Sequence, residues 1–250
     1  MPYLSLAVVV FSALVHLLAY EVADFFRPAS TDRAQASLAR WARWALPWLG
    51  IHIDSSGQPS GPRSIYVANH RTYLDILLLA AALDAAFLSR ADVASWPVIG
   101  AVARMIGTVF VERDTAHGRA LALRQLLRRV ETANVVVFPE GTTTGARLPL
   151  PFHPTVFRVA HDLGFSLIPV TVRYSHRHAY WAEEISMWQH LKRVINGVPL
   201  RASVHIGRAL RAGDYATAEE LRAAVYAAVC EPIERYGELV GSMSADPGAA

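Results

Sequence analysis

Hydrophobic positions along this chain alternate between short β-branched runs and longer helical stripes. Residues Ile65-Tyr66-Val67-Ala68 form a compact apolar run, followed by the polar turn Asn69-His70-Arg71-Thr72 and then by Leu74, Ile76, Leu77, Leu78 and Leu79. That order predicts a strand, a turn and a buried helix reaching about Leu83. Further strands are expected at Ala86 to Ser89, Gly107 to Arg113, Val135 to Phe138, Ser166 to Arg173 and Arg201 to Ile206. Between them, Leu121, Leu123, Leu126, Leu127 and Val130 keep a helical stripe within Ala116 to Thr132, decorated by Arg119, Arg124, Arg128 and Arg129. Pro154 and Gly164 bracket another helix, and Thr217-x-x-Glu220 opens a last one that Pro232 kinks or ends. Strands alternating with helices indicate an α/β fold with a mixed, mostly parallel central sheet flanked by helices.

The N-terminal pattern differs. Leu4 to Ala19 is apolar except for Ser5, Ser12 and His16, slightly short of the ~20 residues that span a bilayer. It is expected to span with tight ends or to lie shallow, the bland alternative being a buried helix. No Lys or Arg precedes the run, which argues against a cleaved signal peptide. Arg27, Arg33, Arg40 and Arg43 follow it, which places the remainder on the cytoplasmic side. Trp41, Trp44 and Trp48 then recur at helical spacing beside Arg40 and Arg43, as in an interfacial helix, although ordinary core uses the same stripe. Gly50 stops that helix, Ile51-His52-Ile53 is a short strand, and Asp54 to Arg63 reads as a hairpin-like turn. The expected organisation is residues 1–49 as a membrane-associated segment, 50–240 as the main domain and 241–250 as a flexible tail.

Composition narrows the partners. The chain of 250 residues is 53% hydrophobic and 18% charged, too polar for a multi-span membrane protein and apolar for a soluble one. Its net charge of +3 comes almost wholly from arginine, Lys192 being the only lysine. Arginine suits phosphate and carboxylate recognition, so anionic lipids or a phosphate-bearing donor fit. The arginines are dispersed and form no nucleic-acid motif. Cys230 alone excludes an intrachain disulfide.

Candidate chemistry begins at His70 and Asp75. Residues five apart on one helix lie about 140° apart, so His70 must sit in the turn before the helix. Thr72-x-x-Asp75 also fits a capping box, which would explain Asp75 without chemistry. It does not explain His70, whose neutral imidazole can accept a proton near neutral pH and whose orientation a carboxylate can fix. A second strand runs into Phe138-Pro139-Glu140-Gly141-Thr142, a turn whose backbone amides can face an anion or a hydroxyl. Cys230 lies in the alanine-rich Ala227-Ala228-Val229-Cys230 and reads as a small buried hydrophobe. His176 and His178 have no carboxylate or cysteine at ligand spacing, so no metal is expected.

Together these pieces resemble the glycerolipid acyltransferase family, which includes 1-acylglycerol-3-phosphate acyltransferases. The resemblance covers roughly Ile65 to Val172 and rests on four blocks in order: Asn69-His70-x4-Asp75, Gly107 to Arg113, Phe138 to Thr142, and Leu167-Ile168-Pro169-Val170. It implies acyl transfer from a thioester of coenzyme A or acyl carrier protein to a lysolipid hydroxyl, with no further cofactor. His70 would be the general base and Asp75 its partner. Asn69, Arg113, Glu140, Gly141 and Thr142 would bind substrate. Two departures bear on the acceptor: Thr143 and Thr144 follow the Glu-Gly-Thr turn where the family often has a basic residue, and Phe152-His153-Pro154 stands where a lysine commonly follows the phenylalanine. Leu150-Pro151-Phe152 and the Trp181 to Leu191 region look more like the branch that acylates lyso-ornithine lipid. These departures weigh against lysophosphatidate, which the family resemblance still makes the first expected acceptor, with lyso-ornithine lipid the second. A lapsed enzyme retained as a membrane lipid-binding protein is the reading from another class.

Overall fold

The computed structural model describes residues 2–26, 30–59, 64–96, 99–112, 115–181 and 185–236. Among these residues, eight α-helices and eight strands follow one another as α1 (Pro2–Phe26), α2 (Thr31–Trp48), β1 (Ile51–Ser56), β2 (Ile65–Ala68), α3 (Leu74–Ala82), β3 (Ala85–Arg90), α4 (Ile99–Met105), β4 (Val109–Val111), α5 (Ala116–Val130), β5 (Asn134–Val137), α6 (Thr155–Leu163), β6 (Ser166–Tyr174), α7 (Met187–Asn196), β7 (Leu200–Ile206), β8 (Leu210–Arg211) and α8 (Ala218–Tyr236). All the strands join one sheet in the order β1-β7-β6-β2-β5-β3-β4, with β8 beside β6. Only β6–β7 and β6–β8 are antiparallel. The sheet is thus mixed and mostly parallel, as the alternation of elements implies.

Period-two packing explains why the central runs are continuously apolar. Tyr66, Ala68, Ile168, Val170, Val172 and Tyr174 enter a core shared with α2, α3 and α7. Ile65, Val67, Val135, Val137 and Leu167 enter a second core with α5, α6 and α8 on the opposite face. A strand covered on both faces has no polar side to show in its sequence. Pro169 is tolerated in central β6 because its outer neighbour changes there. Val170 pairs with Ile206 of β7 and Leu167 with Leu210 of β8. The Pro169 carbonyl accepts from Gly207 N in the gap, and its nitrogen, facing the same way, needs no donor hydrogen.

Several expectations change. The turn after β1 is not a hairpin, because β1 pairs in parallel with β7, and β7 and β6 stand between it and β2. Residues 60–63 of that turn, Pro97 and the 241–250 tail lie outside the described residues. Residue 49 is not a packing boundary, since Ala34, Leu38, Ala42 and Leu46 of α2 belong to the same core as α3. The connection from Tyr174 to Val198 contains α7, opened by a reciprocal cap between Ser186 and Gln189. Leu121 is exposed, and Ala122 with Leu126 and Val130 forms the buried stripe of α5. Pro232 does not end α8, which continues to Tyr236. Among the described residues no helix is long and apolar enough to cross a membrane.

Candidate active site

Three neighbouring parallel strands, β5, β2 and β6, end at the same edge of the sheet. Each delivers one part of the site: Glu140 follows β5, His70 and Asp75 follow β2, and Tyr174 closes β6. The carboxyl edge of a parallel sheet is where such folds place polar side chains around a crevice.

Asp75 is wholly buried and its carboxylate is surrounded by donors. Oδ2 accepts from His70 Nδ1 at 2.8 Å, from the Arg71 amide at 2.6 Å and from the Thr72 amide at 3.0 Å. Oδ1 accepts the Tyr174 hydroxyl at 2.6 Å. The expected capping box therefore forms only by half. Asp75 reaches back to turn amides, but the Thr72 hydroxyl is buried without a partner among the described residues, and the N-cap of α3 is Tyr73, which makes no side-chain cap. The segment bends so that one carboxylate ties the turn and the imidazole together.

That bond fixes the imidazole. A carboxylate can only accept, so the proton of neutral His70 sits on Nδ1 and the Nε2 lone pair is left for chemistry. Phe138 stacks on the ring at 4.1 Å, and the His70 side chain remains 18% exposed. His70 is thus packed, oriented and accessible. Its own amide donates to Glu140 Oε1 at 2.6 Å, while Glu140 Oε2 accepts from Leu150 N at 2.7 Å.

The binding residues expected from sequence divide differently. Asn69 is fully buried and spends its side-chain amide on Val172, donating to the carbonyl at 3.0 Å and accepting from the amide at 2.7 Å. It stitches β2 to β6 instead of meeting substrate. Glu140 likewise joins the His70 turn to the chain before Phe152, and burial pushes its carboxyl above the ordinary range against the pull of the two amides. Gly141 has φ of 77°, a conformation that favours glycine and lets the chain reverse after Glu140. Thr142 is half-buried. Arg113 lies outside the described residues.

Two residues escaped the sequence reading. Arg71 is buried, donates to the carbonyls of Ala146 and Arg147 at 2.6 and 2.7 Å, and stands over the Tyr180 ring at 5.1 Å. It holds the loop after Glu140 against the His70 turn. Nothing in a single arginine beside a histidine announces that task. Tyr174 was more accessible, because extending the alternation Ile168, Val170, Val172 by two residues places it on the Asp75 side. Cys230 is buried and burial raises its thiol pKa, away from the thiolate a nucleophile needs. The His176 and His178 rings stack at 5.1 Å, and among the described residues no three metal-ligating side chains converge.

This fold, with a histidine and carboxylate at the end of a central strand, coincides with a family match. Residues 52–173 match the Acyltransferase family, and together with the relatives below this shows that the chain belongs to the glycerolipid acyltransferases. The lyso-ornithine lipid O-acyltransferase of Pseudomonas aeruginosa is 33% identical over 176 residues, 67% of each chain. That of Rhodobacter capsulatus is 33% identical over 192 residues, 72% of this chain and 70% of the relative. A 1-acyl-sn-glycerol-3-phosphate acyltransferase of Neisseria gonorrhoeae is 32% identical over 149 residues, 59% of this chain and 58% of the relative. The crystal structure of the 1-acyl-sn-glycerophosphate acyltransferase PlsC from Thermotoga maritima shares the fold, with TM-score 0.68 at 22% identity over 93% of this chain and 94% of that one.

Proposed function

We propose that the enzyme moves a fatty acyl group from a thioester of coenzyme A or acyl carrier protein to the hydroxyl of a lysolipid, with His70 as general base. The observation that carries this is the His70–Asp75 bond, in which Nδ1 donates its proton to the carboxylate and Nε2 is left as the acceptor. As the lipid oxygen attacks the thioester carbon, Nε2 takes the hydroxyl proton. The carbon–sulfur bond then breaks, and the thiolate recovers that proton. Asp75 stabilises the imidazolium formed in between. General-base assistance of this kind contributes about 10²–10⁴-fold.

For the acceptor we favour lyso-ornithine lipid, a phosphate-free aminolipid, over lysophosphatidate. Thr143, Thr144 and His153 occupy places where a phosphate site would use cations, and each charge-assisted bond lost there weakens binding by roughly 1.5–3 kcal/mol. The P. aeruginosa and R. capsulatus lyso-ornithine enzymes also align over a longer stretch than the N. gonorrhoeae one. Lysophosphatidate stays as the second reading because that relative is equally similar within its shorter alignment. Purified enzyme offered both acceptors with labelled acyl donor is expected to turn over lyso-ornithine lipid saturably. Preferential turnover of lysophosphatidate would reverse the order.

The work surface is proposed to be the cytoplasmic face of a membrane. Tyr3, Leu4, Phe11, Leu14 and Leu18 of α1 and Trp44 and Trp48 of α2 are exposed, an apolar and aromatic set suited to interfacial burial. Because α2 is part of the core, deletion of residues 1–49 is not a clean test. Trp44→Ala with Trp48→Ala should reduce co-sedimentation with anionic vesicles severalfold while the melting temperature holds; unchanged sedimentation would count against these indoles as the contact.

A further inference from the structure

Asp75 has more donors than its link to His70 requires, and one of them comes from the far end of β6. Tyr174 is fully buried, its ring packed in the core on Tyr180 at 6.2 Å and its hydroxyl 2.6 Å from Asp75 Oδ1. A hydroxyl facing a carboxylate must donate, and burial together with the Asp75 charge holds the phenol in its protonated form. The opposite oxygen, Oδ2, faces the imidazole and two turn amides. The turn amides alone already fix Asp75 to its own segment. Tyr174 does something they do not: it anchors the carboxylate to the sheet and withdraws charge from it.

We propose that Tyr174 is a positioning residue for acyl transfer, holding Asp75 in the orientation in which it serves His70. The assignment rests on His70 being the base. An imidazole bonded to a bare carboxylate becomes a stronger base and is already protonated at a pH where it should be accepting. Sharing the carboxylate with the phenol draws negative charge away from the oxygen that faces the imidazole and still lets Asp75 stabilise the imidazolium when it forms. The other charged and titratable groups about this turn are Glu140, whose carboxylate binds the His70 amide, and Arg71, whose guanidinium lies beside Tyr180. Tyr73 and His190, bonded to each other at 3.2 Å, stand behind the turn. All of these persist when Tyr174 alone is changed.

The test compares Tyr174→Phe with the wild type and with His70→Ala, using the full chain. Replacement by phenylalanine should lower kcat by about tenfold, the scale of one hydrogen bond to a charged group, with KM for donor and acceptor held within about twofold. The acid limb of kcat/KM and the His70 imidazole titration followed by NMR should both move to higher pH, by on the order of half to one unit. Substitution of Tyr174 by 3-fluorotyrosine keeps the shape and strengthens the donor, so both should move the other way; this variant decides the matter if the phenylalanine protein does not fold. An activity loss with no displacement of the limb or the titration would make Tyr174 a packing residue and overturn the proposal. Full activity in His70→Ala would overturn it together with the base assignment, whereas an inactive His70→Ala with an unchanged Tyr174→Phe would overturn it alone.

Discussion

Asp75 and Glu140 occupy matching places, each just beyond the carboxyl end of a central parallel strand, and both are buried. Their bonding differs in kind. Asp75 reaches an imidazole and a phenol as well as two amides, whereas Glu140 binds, among the described residues, the amides of His70 and Leu150. One carboxylate is wired to a reactive ring, and the other to the backbone that carries that ring. A carboxylate at a strand end is therefore not evidence of chemistry until its partners are known.

The widest separation between the two should come from Asp75→Asn. An amide in that place no longer selects the Nδ1–H tautomer or balances the imidazolium, and kcat should fall by about 10²–10⁴-fold, the scale of general-base assistance. Retention of more than a tenth of the wild-type rate would remove Asp75 from the chemistry.

Glu140→Gln should act mainly on stability. One amide then faces an NH2 group in place of an acceptor, at a cost of about 1–3 kcal/mol, while activity falls about tenfold or less as the loop loosens. The pH dependence has a definite sign. Because the folded Glu140 carboxyl sits above its ordinary value, the native state binds more protons than the unfolded state between those two values, and stability falls as pH rises through that window. The glutamine variant lacks this slope, so its deficit should be largest on the acid side and shrink towards neutrality. Melting curves across that range check it; a deficit that grows with pH would contradict the assignment.

The smallest effect is expected from Cys230→Ala, which removes a buried thiol whose hydrogen-bond partner is Tyr226 and neither carboxylate, and should leave kcat within about twofold, the modest cost falling on stability. A thiol acting as acyl carrier would instead lose activity outright.

How much of this was legible in the chain follows the same division. The strands, the turn position of His70 and its pairing with Asp75 followed from local periodicity and spacing, which act over a few residues. The hairpin expected after Ile53 was lost because its partner, β7, lies far along the chain and parallel pairing leaves no local mark. Helix α7 was overlooked although Ser186 and Gln189 carry a capping pattern, since His190 and Lys192 obscured the stripe formed by Val194 and Ile195. The family resemblance implies a substrate-binding role for Asn69 and Glu140. Here they bond Val172, His70 and Leu150 instead, and contacts made to backbone atoms distant in sequence are invisible in a pattern of side chains. Tyr174 lies one residue beyond the expected end of β6.

The division between the two carboxylates is tested most directly by a double-mutant comparison in the purified enzyme with labelled donor. His70→Ala alone sets the residual rate. If Asp75 acts through the imidazole, adding Asp75→Asn should leave that residual rate unchanged within about twofold, while adding Glu140→Gln, which acts on the turn itself, should lower the melting temperature by the amount that Glu140→Gln produces alone. A further full-sized loss on combining Asp75→Asn with His70→Ala would show that Asp75 works independently of His70, and the account given for this site would be wrong.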